Sequence, residues 1–213
     1  MTQDTKLIIF DLDGTLINAY PAIISSFNYT LRKFGYPAQT AAAIRRAVGW
    51  GDENLLRPFI KRKDLKCALF TYRRHHQTAL IKKSCLFRGA DKALSNLKNK
   101  GYKLAVASNR PTRFSWILIR HLKIKRYFQY VLCADRLAHR KPHPEILNRI
   151  TQRFSVKPNQ AIYVGDMAID AQAGRRAKVK TIIVTTGSST RDEVKKERPW
   201  RIISKITGLL RIL

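Results

Sequence analysis

The segment Lys6 to Leu16, KLIIFDLDGTL, decides how the rest of the chain is interpreted. Its apolar run, Leu7 to Phe10, predicts a short strand covered on both faces. Two carboxylates, Asp11 and Asp13, follow at the strand end, and the two-residue period of a strand predicts that they project to the same side. Carboxylates that close together need a cation or a proton between them. Gly14 permits a tight turn whose amides can face an anion. The combination predicts a site for phosphoryl transfer.

DLDGTL resembles the first motif of the haloacid dehalogenase superfamily of phosphohydrolases, which use an aspartate as nucleophile. The resemblance implies an α/β fold, a Rossmann-like parallel sheet flanked by helices, with an inserted all-helical cap. It also implies three further motifs in a fixed order. One residue departs from the pattern of close relatives, because Asn18 stands where they often have Asp.

The three further motifs can be matched in that order, each near a predicted strand end or helix start. Ser108-Asn109 follows the predicted strand YKLAVA, where the second motif places a hydroxyl. Lys141 lies in KPHPE, directly before a predicted helix, and corresponds to the third motif. Asp166 and Asp170 lie in GDMAID behind the predicted strand IYV and correspond to the fourth. Four matches in order make this resemblance more specific than any single motif.

The resemblance implies a role for each matched residue. Asp11 would be the nucleophile and Asp13 the general acid and base, while Lys141 would neutralise charge on the transferring group. Ser108 would orient the phosphoryl group. The expected phosphate-binding residues are Gly14, Thr15, Ser108, Asn109 and Lys141. Because Asp13 is an acid, phosphate ester hydrolysis is favoured over cleavage of a carbon–halogen bond.

The implied cofactor is Mg²⁺, since hard oxygen ligands beside a phosphate substrate suit that ion. Asp11, Asp166 and the backbone carbonyl of Asp13 are the expected direct ligands. For Asp170 two possibilities stay open, which are binding through water and orienting Lys141.

A long segment without strand-like alternation separates the first motif from the second. We expect residues 18–87 to form the helical cap, and residues 1–17 and 88–213 to form the α/β core, where strands alternate with helices as in parallel βαβ units. Arginine can pair with a substrate carboxylate or second phosphate. The candidates for substrate selection in the cap are Arg45, Arg46, Trp50 and Arg57. His75 and His76 are interpreted as helix surface.

The chain is strongly basic, with 42 Lys and Arg against 14 acidic residues and a net charge of +28. Such a charge favours phosphate-bearing partners and non-specific binding of polyanions at low salt. Because the basic residues are spread along the whole chain, they indicate a general surface property. A nucleic-acid-associated protein stays open as an alternative.

The remaining features concern location and assembly. MTQDTK lacks a signal pattern, and no apolar run is long enough to span a membrane. Three scattered cysteines, Cys67, Cys85 and Cys133, favour a reducing compartment over a disulfide framework. We expect a cytoplasmic monomer or homodimer with no membrane partner.

The layout resembles phosphoglycolate phosphatases and phosphatases of small sugar phosphates. We therefore expect a hydrolase of a small phosphorylated metabolite that works through an aspartyl-phosphate. A sugar phosphomutase of the same superfamily stays open as a second alternative.

Overall fold

The computed structural model describes residues 4–213, so residues 1–3 of the predicted core lie outside the described range. The strands are β1 (Leu7–Phe10), β2 (Ile17–Asn18), β3 (Cys85–Leu86), β4 (Lys103–Ser108), β5 (Tyr130–Cys133), β6 (Ala161–Gly165), β7 (Lys180–Val184) and β8 (Arg201–Ile203). Six of them form one parallel sheet in the order β5-β4-β1-β6-β7-β8. The predicted α/β fold with a parallel sheet is confirmed.

Nine α-helices lie within the described residues. They are α1 (Tyr20–Lys33), α2 (Ala41–Ala47), α3 (Asp52–Leu56), α4 (Leu65–Lys83), α5 (Ala90–Asn99), α6 (Thr112–His121), α7 (Glu145–Arg153), α8 (Ala168–Arg176) and α9 (Arg191–Lys196). Helix α9 is missing from the sequence prediction, although Thr190 and Glu193 form a reciprocal capping box at its start. A 3₁₀ helix, Ile206–Arg211, follows β8. None of the helices in the range 4–213 has the length and apolar character needed to cross a membrane.

Strand β1 lies at the centre of the sheet, between β4 and β6. Its side chains alternate between two layers of the core: Ile8 and Phe10 face one, Leu7 and Ile9 the other. All four are fully buried, as the apolar run predicts. Since the three central strands are parallel, the segments that follow them meet at one edge, where α/β proteins bind ligands.

The segment between β2 and β3, here called the helical insertion (residues 19–84), contains α1 to α4 and no strand among its residues. The chain leaves and re-enters the sheet region through an antiparallel ribbon, in which Ile17 pairs with Leu86 and Asn18 with Cys85. Helix α2 begins at Thr40, whose side chain accepts a hydrogen bond from the Ala43 amide. The ribbon lies beside the predicted boundaries, and the division into a core and a cap stays a prediction.

Candidate active site

One cavity, of about 70 Å³, lies at the carboxyl edge of the sheet. Asp11 follows β1, and its amide donates to the Val164 carbonyl of β6 at 2.9 Å. Ser108 is the last residue of β4. Both line the cavity together with Asp13 and Lys141. The structure thus brings together the four residues predicted to be catalytic, although they come from distant parts of the chain.

Lys141 is buried and held between two carboxylates. Its Nζ donates to Asp11 Oδ1 at 2.8 Å and to Asp170 Oδ1 at 2.9 Å. The Tyr163 hydroxyl lies 2.8 Å from the same Nζ and donates to Asp170 Oδ1 at 2.6 Å. Burial disfavours the charged amine, but Asp11 and Asp170 outweigh it and raise the pKa of Lys141 above its usual value. The ammonium group therefore stays charged beside Asp11.

Asn109 fixes the backbone of Lys141. Its Oδ1 accepts from the Lys141 amide at 2.9 Å, and its Nδ2 donates to the Lys141 carbonyl at 3.0 Å. The same Nδ2 donates to the Gly49 carbonyl of the helical insertion at 2.8 Å. Asn109 therefore connects the loop after β4, the lysine and the insertion, and its contacts are those of a positioning residue.

Three buried carboxylates, Asp11, Asp166 and Asp170, place oxygens within 4.8 Å of one another. Burial raises the pKa of the Asp11 carboxyl to about 7; Lys141 opposes this rise and Asp170 adds to it. Burial and then Asp170 also raise the pKa of Asp166 well above its usual value. A cation at this cluster would favour the charged forms.

The individual oxygens show where a cation fits. Asp166 Oδ1 accepts from the Thr15 hydroxyl at 2.9 Å, whereas its Oδ2 is buried without a hydrogen-bond partner among the described residues. Asp170 has both oxygens occupied, since Oδ2 accepts from the amides of Asp166 and Met167 at 3.1 and 3.0 Å. Asp166 therefore has a free ligand atom, and the contacts of Asp170 favour the alternative in which it orients Lys141.

Glycines allow the backbone to approach Asp166 closely. A Cβ on Gly14 would lie 2.2 Å from Asp166 Oδ2, and one on Gly187 would lie 1.9 Å from it. Gly14 also has a φ of +83°, which disfavours any side chain. The amides of Gly14 and Thr15 donate to the Ile17 and Leu12 carbonyls inside the turn. The phosphate-binding role expected for these two residues stays a prediction.

Two further residues at the cavity are absent from the predicted site. Arg110 donates from Nε to Asp13 Oδ2 at 2.7 Å, and its Nη1 lies 2.9 Å from His76 Nε2. His76 is 1% exposed, so its interpretation as helix surface is wrong. Tyr72 and Leu80, each four residues from His76 and both buried, mark the covered face of α4 and could have indicated this.

The cap residues predicted to select substrate lie away from the cavity lining. Arg46 donates to Glu193 and to the Ser188 carbonyl, and Arg57 pairs with Glu53. The Arg45 guanidinium stacks 4.0 Å over the Tyr20 ring. The Trp50 side chain is 41% exposed, while its neighbours Gly49 and Gly51 do line the cavity. Substrate selection by these four residues stays a prediction.

Fold and site define a class of protein, an α/β enzyme whose acids and lysine gather where the strands of a parallel sheet end. The family model described as haloacid dehalogenase-like hydrolase matches residues 8–184, and the chain belongs to that family. It is 25% identical over 221 residues to a phosphoglycolate phosphatase of Nitrosococcus oceani, covering 100% of this chain and 98% of that one. A phosphoglycolate phosphatase of Rhodobacter capsulatus is 34% identical over 186 residues, 84% of each chain.

A solved structure gives the same result. The crystal structure of a predicted phosphoglycolate phosphatase from Haemophilus somnus superposes with a TM-score of 0.93 at 26% identity, over 98% of both chains. The chain is thus a phosphatase of the haloacid dehalogenase-like family and is similar to its phosphoglycolate phosphatase-like members. The resemblance inferred from the motifs is confirmed.

Proposed function

We propose that this phosphatase is a Mg²⁺-dependent phosphomonoester hydrolase that acts on a small phosphorylated metabolite through an aspartyl-phosphate. The observation that carries the proposal is the setting of Asp11. One of its oxygens is bound to the charged Lys141, and the residue faces a cavity shared with Asp13 and Ser108. Relatives named phosphoglycolate phosphatase support a small phosphate ester as substrate.

In the first step a carboxylate oxygen of Asp11 attacks phosphorus, and the bond between phosphorus and the leaving oxygen breaks. Asp13 gives its proton to that leaving oxygen. In the second step Asp13 takes a proton from a water molecule that attacks the aspartyl-phosphate, which releases phosphate and restores Asp11. Asp13 suits this role because Arg110 holds its Oδ2, while Oδ1 has no partner among the described residues.

Charge neutralisation comes from the residues around Asp11. Lys141 places a positive charge next to the attacking carboxylate, and the Ser108 hydroxyl lies in the same cavity wall. Asp11, Asp166 and the Asp13 carbonyl would hold Mg²⁺, which when bound supplies Lewis-acid stabilisation of the phosphoryl oxygens. The unpartnered Oδ2 of Asp166 and the closely spaced acids support this ion. We keep the cytoplasm as the proposed location.

The test is phosphate release from a panel of phosphoglycolate, sugar phosphates and nucleotides, with Mg²⁺ or with EDTA. We expect release with Mg²⁺ and loss of activity in EDTA. Asp11→Asn should lower kcat at least on the order of 10⁴-fold, since removing a nucleophile removes the covalent path.

Asp192→Asn is the matched control, because it makes the same change on an 86% exposed side chain and should retain activity. An Asp11→Asn protein that turns over like the unmodified one would refute the nucleophile. Isomerised sugar phosphate in place of inorganic phosphate would support the mutase alternative.

A further inference from the structure

The cavity contains a buried cation whose hydrogen-bonding capacity is only partly used. Arg110 follows Ser108-Asn109 in the loop after β4, and its side chain is 6% exposed. Its amide donates to Ser108 Oγ at 3.2 Å, so its backbone is fixed at the catalytic edge. Arg110 lines the same cavity as Asp11. The ion pair with Asp13 accounts for the burial of Arg110, but not for the donors that remain free.

The donors of Arg110 can be counted. An arginine has five N–H groups that can donate hydrogen bonds and no atom that can accept one. Nε–H binds Asp13 and one Nη1–H binds His76, which leaves three N–H bonds. Arginine is effectively always charged in proteins, and Asp13 is the carboxylate that Arg110 pairs with. A charged group with three free donors at a cavity is suited to bind a further acceptor.

The protonation state of His76 follows from its neighbours. Arg110 can only donate, so His76 Nε2 is the acceptor and the ring proton lies on Nδ1. That Nδ1 donates to Ser26 Oγ at 3.1 Å, and the Ser26 hydroxyl donates to the Ala22 carbonyl at 2.9 Å. Burial, followed by the charge of Arg110, lowers the pKa of His76 well below 6.5. His76 is therefore a neutral acceptor that orients Arg110 and leaves its charge in place.

The other charges at the cavity are already paired. Lys141 uses its donors on Asp11, Asp170, Tyr163 and the Ala107 carbonyl. Asp52 also lines the cavity, and its carboxylate pairs with Arg73 at 2.7 Å. Arg110 is thus the lining cation that retains free donors, within the described part of the chain.

The rest of the wall limits what can bind there. Much of it is apolar, including Ile23, Leu55, Phe114 and Ile169. A bound water needs about 10–15 Å³ of such space. A cavity of about 70 Å³ has room for several such positions, enough for a substrate of a few carbon atoms.

From these observations we infer that Arg110, oriented by His76, binds a carboxylate at the end of the substrate remote from its phosphate. The planar guanidinium group matches a carboxylate with two parallel hydrogen bonds, which a lysine cannot reproduce. The inference rests on the proposed function and narrows it to short phosphorylated carboxylic acids over neutral sugar phosphates. Arg110 is thereby a specificity-determining residue and His76 a positioning residue.

The test compares two substrates that differ in one group. Phosphoglycolate carries a carboxylate where 2-hydroxyethyl phosphate carries a hydroxymethyl group, and both release phosphate. We expect kcat/KM to be about 10- to 100-fold higher for phosphoglycolate, as fits a hydrogen bond to a charged group. Arg110→Gln also removes the hydrogen bond to Asp13 and should lower kcat/KM for both substrates. The informative quantity is therefore the ratio of the two kcat/KM values. That ratio should fall close to one.

Arg113→Gln is the matched control. It removes the same charge three residues away, from a side chain that binds Gln77 and does not line the cavity, and it should retain the ratio. His76→Leu removes the acceptor for Arg110 and should raise KM for phosphoglycolate and lower the ratio of the two kcat/KM values. His76→Gln keeps an acceptor and should restore KM. Melting temperatures identify variants that fail to fold.

Three outcomes are decisive. If Arg110→Gln lowers kcat/KM for both substrates by the same factor, Arg110 acts only on Asp13 and the inference is overturned. An enzyme that hydrolyses both substrates equally well also overturns it, while the proposed function stands. If no phosphomonoester of the panel releases phosphate with Mg²⁺, the proposed function fails and the inference fails with it.

Discussion

The two walls of the cavity differ in how their charged groups are supported. On the sheet wall, Lys141 connects Asp11 and Asp170, and all three are buried within one hydrogen-bonded unit. On the wall from the helical insertion, Asp52 pairs with Arg73 of the same segment, and much of the remaining surface is apolar. A substitution of any one of these three residues should therefore disturb the other two, because each charge depends on the others. The insertion wall can change residue by residue.

The largest effect should come from breaking the unit on the sheet wall. Lys141→Met leaves Asp11 and Asp170 buried without their cation, and losing one partner of a buried ion pair costs about 3–5 kcal/mol. We expect the free energy of unfolding to fall by about that amount in urea titrations with EDTA present. Phosphatase activity should fall on the order of 10³-fold or more.

Lys63→Met is the control for that experiment, since Lys63 is exposed and the same change there should be close to neutral in both measurements. Equal stability of the two variants would mean that the sheet wall does not behave as one unit.

A second pair of substitutions separates the effect of backbone strain from the effect of a clash with Asp166. Gly14 and Gly101 have φ values of +83° and +85°, so alanine strains both by about 1–2 kcal/mol. A Cβ on Gly14 would meet Asp166, whereas one on Gly101 has nothing within 4 Å. We expect Gly14→Ala to lose more stability than Gly101→Ala, and only Gly14→Ala to lose phosphatase activity and require more Mg²⁺. Parallel losses of activity in both would contradict the close approach to Asp166.

The sheet wall was largely predictable from the sequence because its signals are local. An apolar run followed by acids identifies β1 and Asp11, and parallel strands then imply that distant strand ends meet. Lys141 and Asp11, 130 residues apart, are brought into contact by that topology. Tyr163 escaped prediction because an aromatic residue within an apolar strand is indistinguishable from core. Only the contacts of its hydroxyl with Lys141 and Asp170 connect it to the site.

The insertion wall was not predictable to the same degree. The contact of His76 with Arg110 depends on the orientation of α4 about its axis and on its position over the sheet edge. No local sequence pattern specifies either. The four-residue spacing from Tyr72 could have indicated burial of His76, although it does not identify the partner. Arg46 and Glu193 are exposed residues of separate segments, so their pairing had no sequence signal at all.

The third prediction concerns pH and tests the insertion wall directly. His76 is neutral in the folded protein, because burial and Arg110 lower its pKa well below 6.5, whereas in the unfolded chain it titrates near 6.5. Below that pH the unfolded state binds one more proton, so the stability present above pH 6.5 is lost as the pH falls further. Between pH 7 and pH 5 this loss is at most about 2 kcal/mol, the contribution of one group that titrates only in the unfolded chain.

His76→Gln removes the titrating group, so its free energy of unfolding should fall less over the same pH range. Urea titrations of both proteins at pH 7, 6 and 5 give the difference. His75, whose pKa is lowered by burial and nearby basic residues, is present in both proteins and cancels. Identical slopes would show that His76 accepts a proton in the folded state. A protonated His76 could not accept a hydrogen bond from Arg110. The polar connection from His76 through Arg110 to Asp13 would then be absent.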